Sequence, residues 1–501
     1  MRNKTSLTAF LAALLAAVWL WMTPFPVHAA TCTSNQSGDW NNPAIWNDCG
    51  GNYPGQTTND YVVIANGHTV DLNISPGAIY RLQINSGGTL NANENTLTIS
   101  AAGDTPGITN NGVFNAGSGT VLFSGSYGWA TSTVSGDVNV TFNNVTIRGD
   151  GNILGVDFGS NSTVNGILTI NDGGFVDTNA PTYGNSSTLR YDAPGYWFGY
   201  DQGDEWGDSG GAVPYHVEIV TGTTLGMGND DRTVQENLTI NGALTLSAGG
   251  GDLTVGGNFV NNGTFNASDN AVTLTGAGAA ISGSSATTFA ALTIANGASV
   301  FIPEGTEVDY WFVNFGAVSQ QRNVTGNEDV TFLALAGYGG VILNNAGGAD
   351  LGQTTVTIRG NQSCNVGDTL VNRCFDISPT NNSGRNATVT FFWHEDELNG
   401  NSCSIMNAYR WNGASWDAAL TLDSSYGIDG RDCTPGLQSL RVNGVADFSP
   451  FGLSSETPTA VTLQSFTAHT GVARLPVLVA VTLLLGLVGV VRWLRHTNQD
   501  R

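Results

Sequence analysis

The sequence is poor in basic residues. Lys and Arg number 17 against 40 Asp and Glu, and Lys4 is the only lysine. Residues 30–473 hold 11 Arg, no Lys and 39 acidic residues, a net charge of −28. Nucleic-acid-binding proteins neutralise phosphates with basic patches, and this chain has none. The composition argues against nucleic-acid binding and predicts an acidic, soluble surface.

Charged residues of either sign are also scarce, and helical periodicity is missing. Only 11% of residues are charged, whereas Gly contributes 66 of 501. No apolar pattern with helical spacing extends over a useful length between residues 32 and 455. Glycine-rich turns between runs of Val, Ile, Leu and Phe favour many short strands. The sequence therefore predicts an all-β protein.

Motifs of catalysis are missing too. The only histidines between residues 38 and 454 are His68, His216 and His394, far apart in sequence. The segment HEDEL at 394–398 lacks the second His of a zinc protease, and no GxSxG elbow occurs. We therefore predict that the protein is not an enzyme and has no catalytic residue or cofactor. A polysaccharide-active enzyme is the less favoured alternative, because paired carboxylates cleave glycosides.

Both ends of the chain have the character of targeting segments. Two basic residues precede an apolar run at 7–22, and the small residues Ala29 and Ala30 follow it. This order predicts a secretory signal peptide at 1–29, with an uncleaved N-terminal anchor as the alternative. A second apolar run predicts a transmembrane anchor at 475–494.

The residues after the second run set its expected orientation. Arg492 and Arg495 predict a cytoplasmic tail at 495–501, which places the N-terminal body outside the cell. A sorting tail that is removed, or a buried helix, is the alternative interpretation. Residues 455–474 are rich in Ser and Thr and are predicted to be a linker.

Six cysteines occur in the chain, and an even number in an exported protein predicts disulfides. Cys32 and Cys49 form the natural first pair. The other four allow three pairings, of which Cys364 with Cys374 and Cys403 with Cys433 is the most local. Zinc binding is the competing interpretation, but no CxxC or suitable His spacing supports it.

The interior of the chain repeats itself. NNGVFNAGSGTVLFSG at 110–125 aligns without a gap to NNGTFNASDNAVTLTG at 261–276. Short strands recurring about every 22 residues over about 300 residues predict a β-solenoid of about thirteen rungs. An array of β-sandwiches is the alternative.

The region 37–73 resembles the opening of secreted bacterial β-strand-repeat proteins, which form a right-handed parallel β-helix. The resemblance rests on Trp40, Trp46, Pro54, Asp60, Val62, Ile64, Gly67 and Val70. The segments ATVTFFWHEDELNG, YRWNGASWD and VADFSPFGL resemble the sandwich domain that follows the repeats in these proteins. The resemblance implies a β-solenoid with an N-terminal cap at 30–345 and a smaller β-sandwich at 350–454.

Two features of one segment are candidate sites. The acidic segment DQGDEWGD offers Asp201, Asp204, Glu205 and Asp208 as oxygen ligands for Ca²⁺, although its spacing is not that of an EF-hand. A solvated acidic loop is the alternative to a metal site.

The neighbouring aromatic residues are the second feature. Tyr196, Trp197, Tyr200 and Trp206 offer a platform on which sugar rings could stack, and burial in an enlarged rung is the alternative.

These patterns together predict a cell-surface adhesin or structural protein that presents a β-helical rod outside the cell. The expected partners are the membrane, through the C-terminal helix, and surface glycans or other cell-surface proteins. A surface carbohydrate-binding protein is the alternative.

Overall fold

A computed structural model of the chain describes residues 30–57, 59–100, 105–125, 130–197, 203–345, 350–364 and 369–458. The predicted signal peptide, anchor and cytoplasmic tail lie outside these residues. No helix among the described residues has the length and apolar character needed to cross a membrane. Regular structure there consists of strands and of short 3-10 turns at Pro43–Ile45, Gly210–Ala212, Glu395–Glu397 and Cys403–Ile405.

The N-terminal part of the fold is a series of short strands. In chain order these are β1 (Thr31–Ser34), β2 (Gly38–Asp39), β3 (Trp46–Asn47), β4 (Tyr61–Ile64), β5 (Thr69–Asp71), β6 (Arg81–Ile84), β7 (Thr89–Asn91), β8 (Thr96–Ile99), β9 (Thr105–Asn110), β10 (Val113–Asn115), β11 (Thr120–Ser124), β12 (Ala130–Ser135), β13 (Val140–Phe142), β14 (Asn144–Arg148), β15 (Leu154–Asp157), β16 (Ser162–Val164), β17 (Ile167–Asn171), β18 (Gly174–Val176), β19 (Thr182–Tyr183), β20 (Thr188–Asp192), β21 (Tyr196–Trp197), β22 (His216–Ile219), β23 (Thr224–Gly226), β24 (Arg232–Val234), β25 (Leu238–Ile240), β26 (Ala243–Thr245), β27 (Leu253–Val255), β28 (Phe259–Asn261), β29 (Thr264–Asn266), β30 (Ala271–Leu274), β31 (Ala277–Ser282), β32 (Thr288–Ile294), β33 (Ser299–Phe301), β34 (Glu307–Asn314) and β35 (Ala317–Val324).

The C-terminal part begins after β35. Its strands are β36 (Asp329–Phe332), β37 (Val341–Asn344), β38 (Gly352–Gly360), β39 (Arg373–Pro379), β40 (Ala387–His394), β41 (Asn407–Arg410), β42 (Arg431–Asp432), β43 (Leu437–Val445) and β44 (Pro450–Ser454).

The N-terminal strands stack as a parallel β-solenoid of about 12 turns, which confirms the predicted all-β solenoid and lies close to the expected thirteen rungs. Successive strands lie on three faces of the solenoid. The first face carries β1 to β18 and then β21 to β29, and the second carries β2 to β19 and then β24 to β34. The third face is one uninterrupted sheet that starts at β8 and has 15 strands.

The core of the solenoid follows from the alternation of apolar and polar residues. On the third face an inward column runs in register through Ile99, Phe123, Ile147, Ile170, Tyr191, Ile219, Ile240 and Asn261. All of these side chains are buried. Each buried aliphatic side chain stabilises the fold by about 1.5–3 kcal/mol relative to an exposed one. One column thus supplies a large share of the driving force for stacking.

The two copies of the internal sequence repeat begin at similar corners between rungs but lie on different faces of the solenoid. The first copy enters the 15-stranded sheet at β11, whereas the second copy leaves that sheet at β28. The first Asn of each copy forms an equivalent hydrogen bond. The side-chain amide of Asn110 donates to the Val138 carbonyl at 3.2 Å, and that of Asn261 donates to the Ala286 carbonyl at 3.0 Å. Both amides tie one rung to the next.

The motif that carried the family resemblance forms the N-terminal end of the solenoid. The rings of Trp40 and Trp46 pack edge to face at 5.2 Å. The Trp40 indole donates to the Pro54 carbonyl at 3.0 Å. The disulfide between Cys32 and Cys49 joins the first strand to the loop after β3. These contacts cover the apolar interior at the first rung.

The change to antiparallel pairing occurs at β35, which pairs with β38 and so carries the 15-stranded sheet into the C-terminal part. A second sheet, β36-β37-β40-β43-β42, is also antiparallel. The Phe391 ring of this sheet lies 5.0 Å from Phe375 and 5.4 Å from Phe451 of the other. The two sheets therefore face each other as in a sandwich. Strands β36 and β37 belong to the second of these sheets.

The disulfides of the C-terminal part agree with the most local of the predicted pairings. Cys364 pairs with Cys374, and Cys403 pairs with Cys433. With Cys32–Cys49 all six cysteines are bonded, which confirms the predicted disulfides.

Candidate functional site

The segment that follows β21 interrupts the regular stacking of the second face. Residues 203–215 contain no strand, yet they fill the place where this face would carry one. The Gly207 carbonyl accepts from the Thr233 N–H of β24 at 3.2 Å, and the Gly207 N–H donates to Ala212 at 2.9 Å. The segment is therefore bonded to the next rung as a strand would be.

Glu205 turns from this segment into the interior of the solenoid and is fully buried. The Tyr191 phenol donates to its Oε1 atom at 3.0 Å, and the Val176 N–H donates to its Oε2 atom at 3.2 Å. The Tyr183 phenol donates to the Glu205 main-chain carbonyl at 2.6 Å. Both carboxyl oxygens and the carbonyl thus have donors, as a buried polar group requires.

The environment of Glu205 alters its acidity. Burial raises the pKa of Glu205, against hydrogen bonds from Tyr196, the backbone and Tyr191 that favour the carboxylate. Burial, and then the charge of Glu205, raise the pKa of Tyr183, Tyr191 and Tyr196 well above the usual phenol value. The phenols therefore remain protonated donors at neutral pH. A carboxyl group without exposed surface contacts no substrate, so its role here is to anchor the segment.

Two of the four predicted platform residues are buried in the core, and the side chains of the other two lie outside the described residues. Trp206 is fully buried and its indole donates to the Thr233 carbonyl at 2.9 Å. Tyr196 is only 7% exposed, and its ring lies 5.3 Å from that of Tyr191. Rings packed in this way offer no free face to a sugar. Tyr200 and the side chain of Trp197 lie outside the described residues.

The described members of the predicted calcium set do not all face the same way. Glu205 faces the core, whereas Asp204 and Asp208 are exposed, and Asp201 lies outside the described residues. Within the described part of the chain, one group of potential ligands lies close enough to share an ion, namely Cys32, Cys49 and Asp60. Its two sulfur atoms are bonded to each other and are unavailable as thiolates.

A polar groove of about 480 Å³ opens on the surface beside the segment. Asp204, Asp208, Asp230 and Arg232 are among the residues that line it. The Arg232 guanidinium is 3.7 Å from the Asp230 carboxylate and donates to the Asp231 carbonyl at 3.2 Å. The Arg232 guanidinium therefore binds to the two residues that precede it in the chain.

Sequence reasoning missed the partners that the structure gives to the acidic segment. Tyr191 occupies a position in the inward column where its register neighbours are Ile170 and Ile219. A phenol in a column of isoleucines is a signal that a polar partner lies inside. Tyr183 carried no comparable signal, because its strand has only two residues.

Comparisons of this chain with protein-family models, with curated proteins and with solved structures found no match. The argument for function therefore depends on the chain's own fold and chemistry.

Proposed function

We propose that this protein is an exported structural or adhesive protein that is anchored at the cell surface and holds a β-solenoid rod outside the cell. The observation that carries the proposal is the uninterrupted 15-stranded sheet, which runs from β8 to the C-terminal strands. About 12 turns at a strand spacing of about 4.8 Å give a rod about 60 Å long. A continuous sheet of this length suits a rod-like spacer.

Two further features support this role. All six cysteines are bonded in pairs, and disulfides persist in oxidising compartments outside the cytosol. Both ends of the solenoid are covered, by the Trp40–Trp46 pair at one end and by antiparallel strands at the other. Covered ends prevent uncontrolled pairing of exposed strand edges between molecules.

Surface labelling tests the proposal. Cells that express the full-length chain are treated with a protease that cannot cross membranes, and the fragments are identified by mass spectrometry. We expect cleavage within the body on intact cells and release of the body into the medium when residues 475–494 are deleted. Protection of the body until the cells are lysed would contradict the proposal.

A rod-length variant tests the structural role separately. Leu238 and Phe259 are register partners, so deletion of residues 238–258 removes one turn and keeps the stacking order. We expect this variant to reach the surface in normal amounts but to support weaker attachment of cells to one another or to a coated surface. If cells with the unaltered chain attach no better than cells that lack the protein, the adhesive role is excluded.

A further inference from the structure

The last strand of the second face carries two adjacent aromatic side chains in solvent. Tyr310 is 59% exposed and Trp311 is 50% exposed, both on β34. Their ring centroids lie 6.3 Å apart, with 37° between the planes. In a regular strand successive side chains point to opposite faces, so one of the two rings should be buried.

A β-bulge explains why both rings point outward. Phe289 of β32 pairs with Val308, and Ala291 pairs with Trp311, so the register shifts by one residue between these pairs. The extra residue on β34 rotates the backbone and keeps Asp309, Tyr310 and Trp311 exposed in sequence. Bulges of this kind redirect side chains and also make an edge strand a poor partner for another strand.

The surroundings of the aromatic pair, Tyr310 and Trp311, leave it accessible. The positions in register with Trp311 on the next two strands are Ala291, which is fully buried, and Ala271, which is half-buried. The Tyr310 phenol lies 3.4 Å from the Asp269 carboxylate, which orients the ring. Asp309 and Glu307 of β34 are exposed beside it.

We propose that the aromatic pair is a binding site for a neutral, pyranose-based polysaccharide. The C–H faces of a pyranose pack against electron-rich aromatic rings, and the flanking carboxylates accept hydrogen bonds from its hydroxyl groups. The charge of the site and of the whole chain, −23, disfavours acidic polysaccharides and nucleic acids. The inference deepens the proposed adhesive function, on which it rests, by naming the class of molecule that the rod contacts.

Affinity electrophoresis of the purified full-length chain tests this inference. The native gels contain hydroxyethylcellulose, galactomannan or xyloglucan, and a gel with alginate serves as the acidic comparison. We expect retardation in at least one neutral gel and none with alginate. The double variant Y310A/W311A is expected to bind at least about tenfold more weakly, and W311F is expected to retain most of the binding.

The matched control is F301A, which removes a ring that is 37% exposed on the third face, and it should bind like the unaltered chain. Absence of retardation in every neutral gel, or equal retardation of Y310A/W311A, would overturn the inference. A concentration-dependent dimer that only Y310A/W311A loses, without polysaccharide binding, would assign the rings to a contact between copies and would also overturn it. Because binding is measured on purified protein, its failure leaves the surface-labelling result unaffected.

Discussion

The phenol of Tyr191 and the carboxyl of Glu205 meet inside the solenoid, with 3.0 Å between the phenol oxygen and Oε1. Tyr191 belongs to the stacked column of the third face, whereas Glu205 comes from the segment that replaces a strand of the second face. Their hydrogen bond ties an irregular segment to the regular core. This contact is the basis of the first prediction.

Glu205→Gln should change how the stability of the protein depends on pH. The pKa of Glu205 is raised in the fold, chiefly by burial, so the stability that the protonated group contributes is fully present below its unfolded pKa. That stability is lost as pH rises through the folded pKa. Glutamine cannot ionise, so the variant should gain stability relative to the unaltered chain as pH rises. Thermal unfolding of both proteins across a pH series measures this difference.

The control for this pH series is Asp208→Asn, which removes an exposed carboxylate from the same segment. Its difference from the unaltered chain should vary little with pH. A stability difference, taken as Glu205→Gln minus the unaltered chain, that stays constant or falls as pH rises would contradict the buried position of the carboxyl.

Arg373→Met should strongly destabilise the C-terminal part. The buried Arg373 guanidinium forms two contacts with Glu397, at 2.7 Å and 3.0 Å, and donates to the carbonyls of Tyr338 and Phe392. Removing one partner of a buried ion pair costs about 3–5 kcal/mol. Denaturant unfolding measures the loss.

The pair Arg190–Glu218, whose side chains are 35% and 28% exposed, provides the matched control. Arg190→Met should cost no more than about 1 kcal/mol, because solvent screens the attraction. Equal losses for Arg373→Met and Arg190→Met would show that the first pair is not buried as described.

Gly283→Ala should destabilise the corner that follows the second copy of the sequence repeat. Gly283 has φ +123°, and an added Cβ would lie 2.0 Å from the Asn261 carbonyl oxygen. Gly297→Ala is the control, since Gly297 also has a positive φ, +82°, but open space around it. We expect the loss of unfolding free energy to be clearly larger for Gly283→Ala. Similar losses would mean that only backbone conformation, and not the close approach, matters.

The solenoid could be predicted because its determinants are local. Alternation such as that of Leu168 and Ile170, closed by Asn and Gly, defines a short strand whose buried face needs neighbours. Strand direction is not local. The change to antiparallel pairing at β35 depends on its partner β38, which lies further along the chain, so local alternation does not reveal it.

The candidate sites were harder to predict because exposure depends on backbone detail. Aromatic residues near 200 suggested a platform, but Trp206 is part of the core. The exposed pair is Tyr310 and Trp311, and only the bulge in β34 turns both rings outward. Three consecutive aromatic residues, Tyr310, Trp311 and Phe312, are the sequence signal of that bulge, because an alternating strand cannot bury or expose all of them.

Distances between spin labels test the stacking of the rod most directly. Thr98, Thr146 and Thr239 lie in one outward column of the third face, with Thr239 six strands from Thr98 and four from Thr146. At about 4.8 Å per strand, backbone separations of about 29 Å and about 19 Å are expected. Double electron–electron resonance on cysteine variants at these positions should give two narrow distributions whose means differ by about 10 Å. Broad distributions, or means that do not increase with the number of strands, would contradict a continuous solenoid.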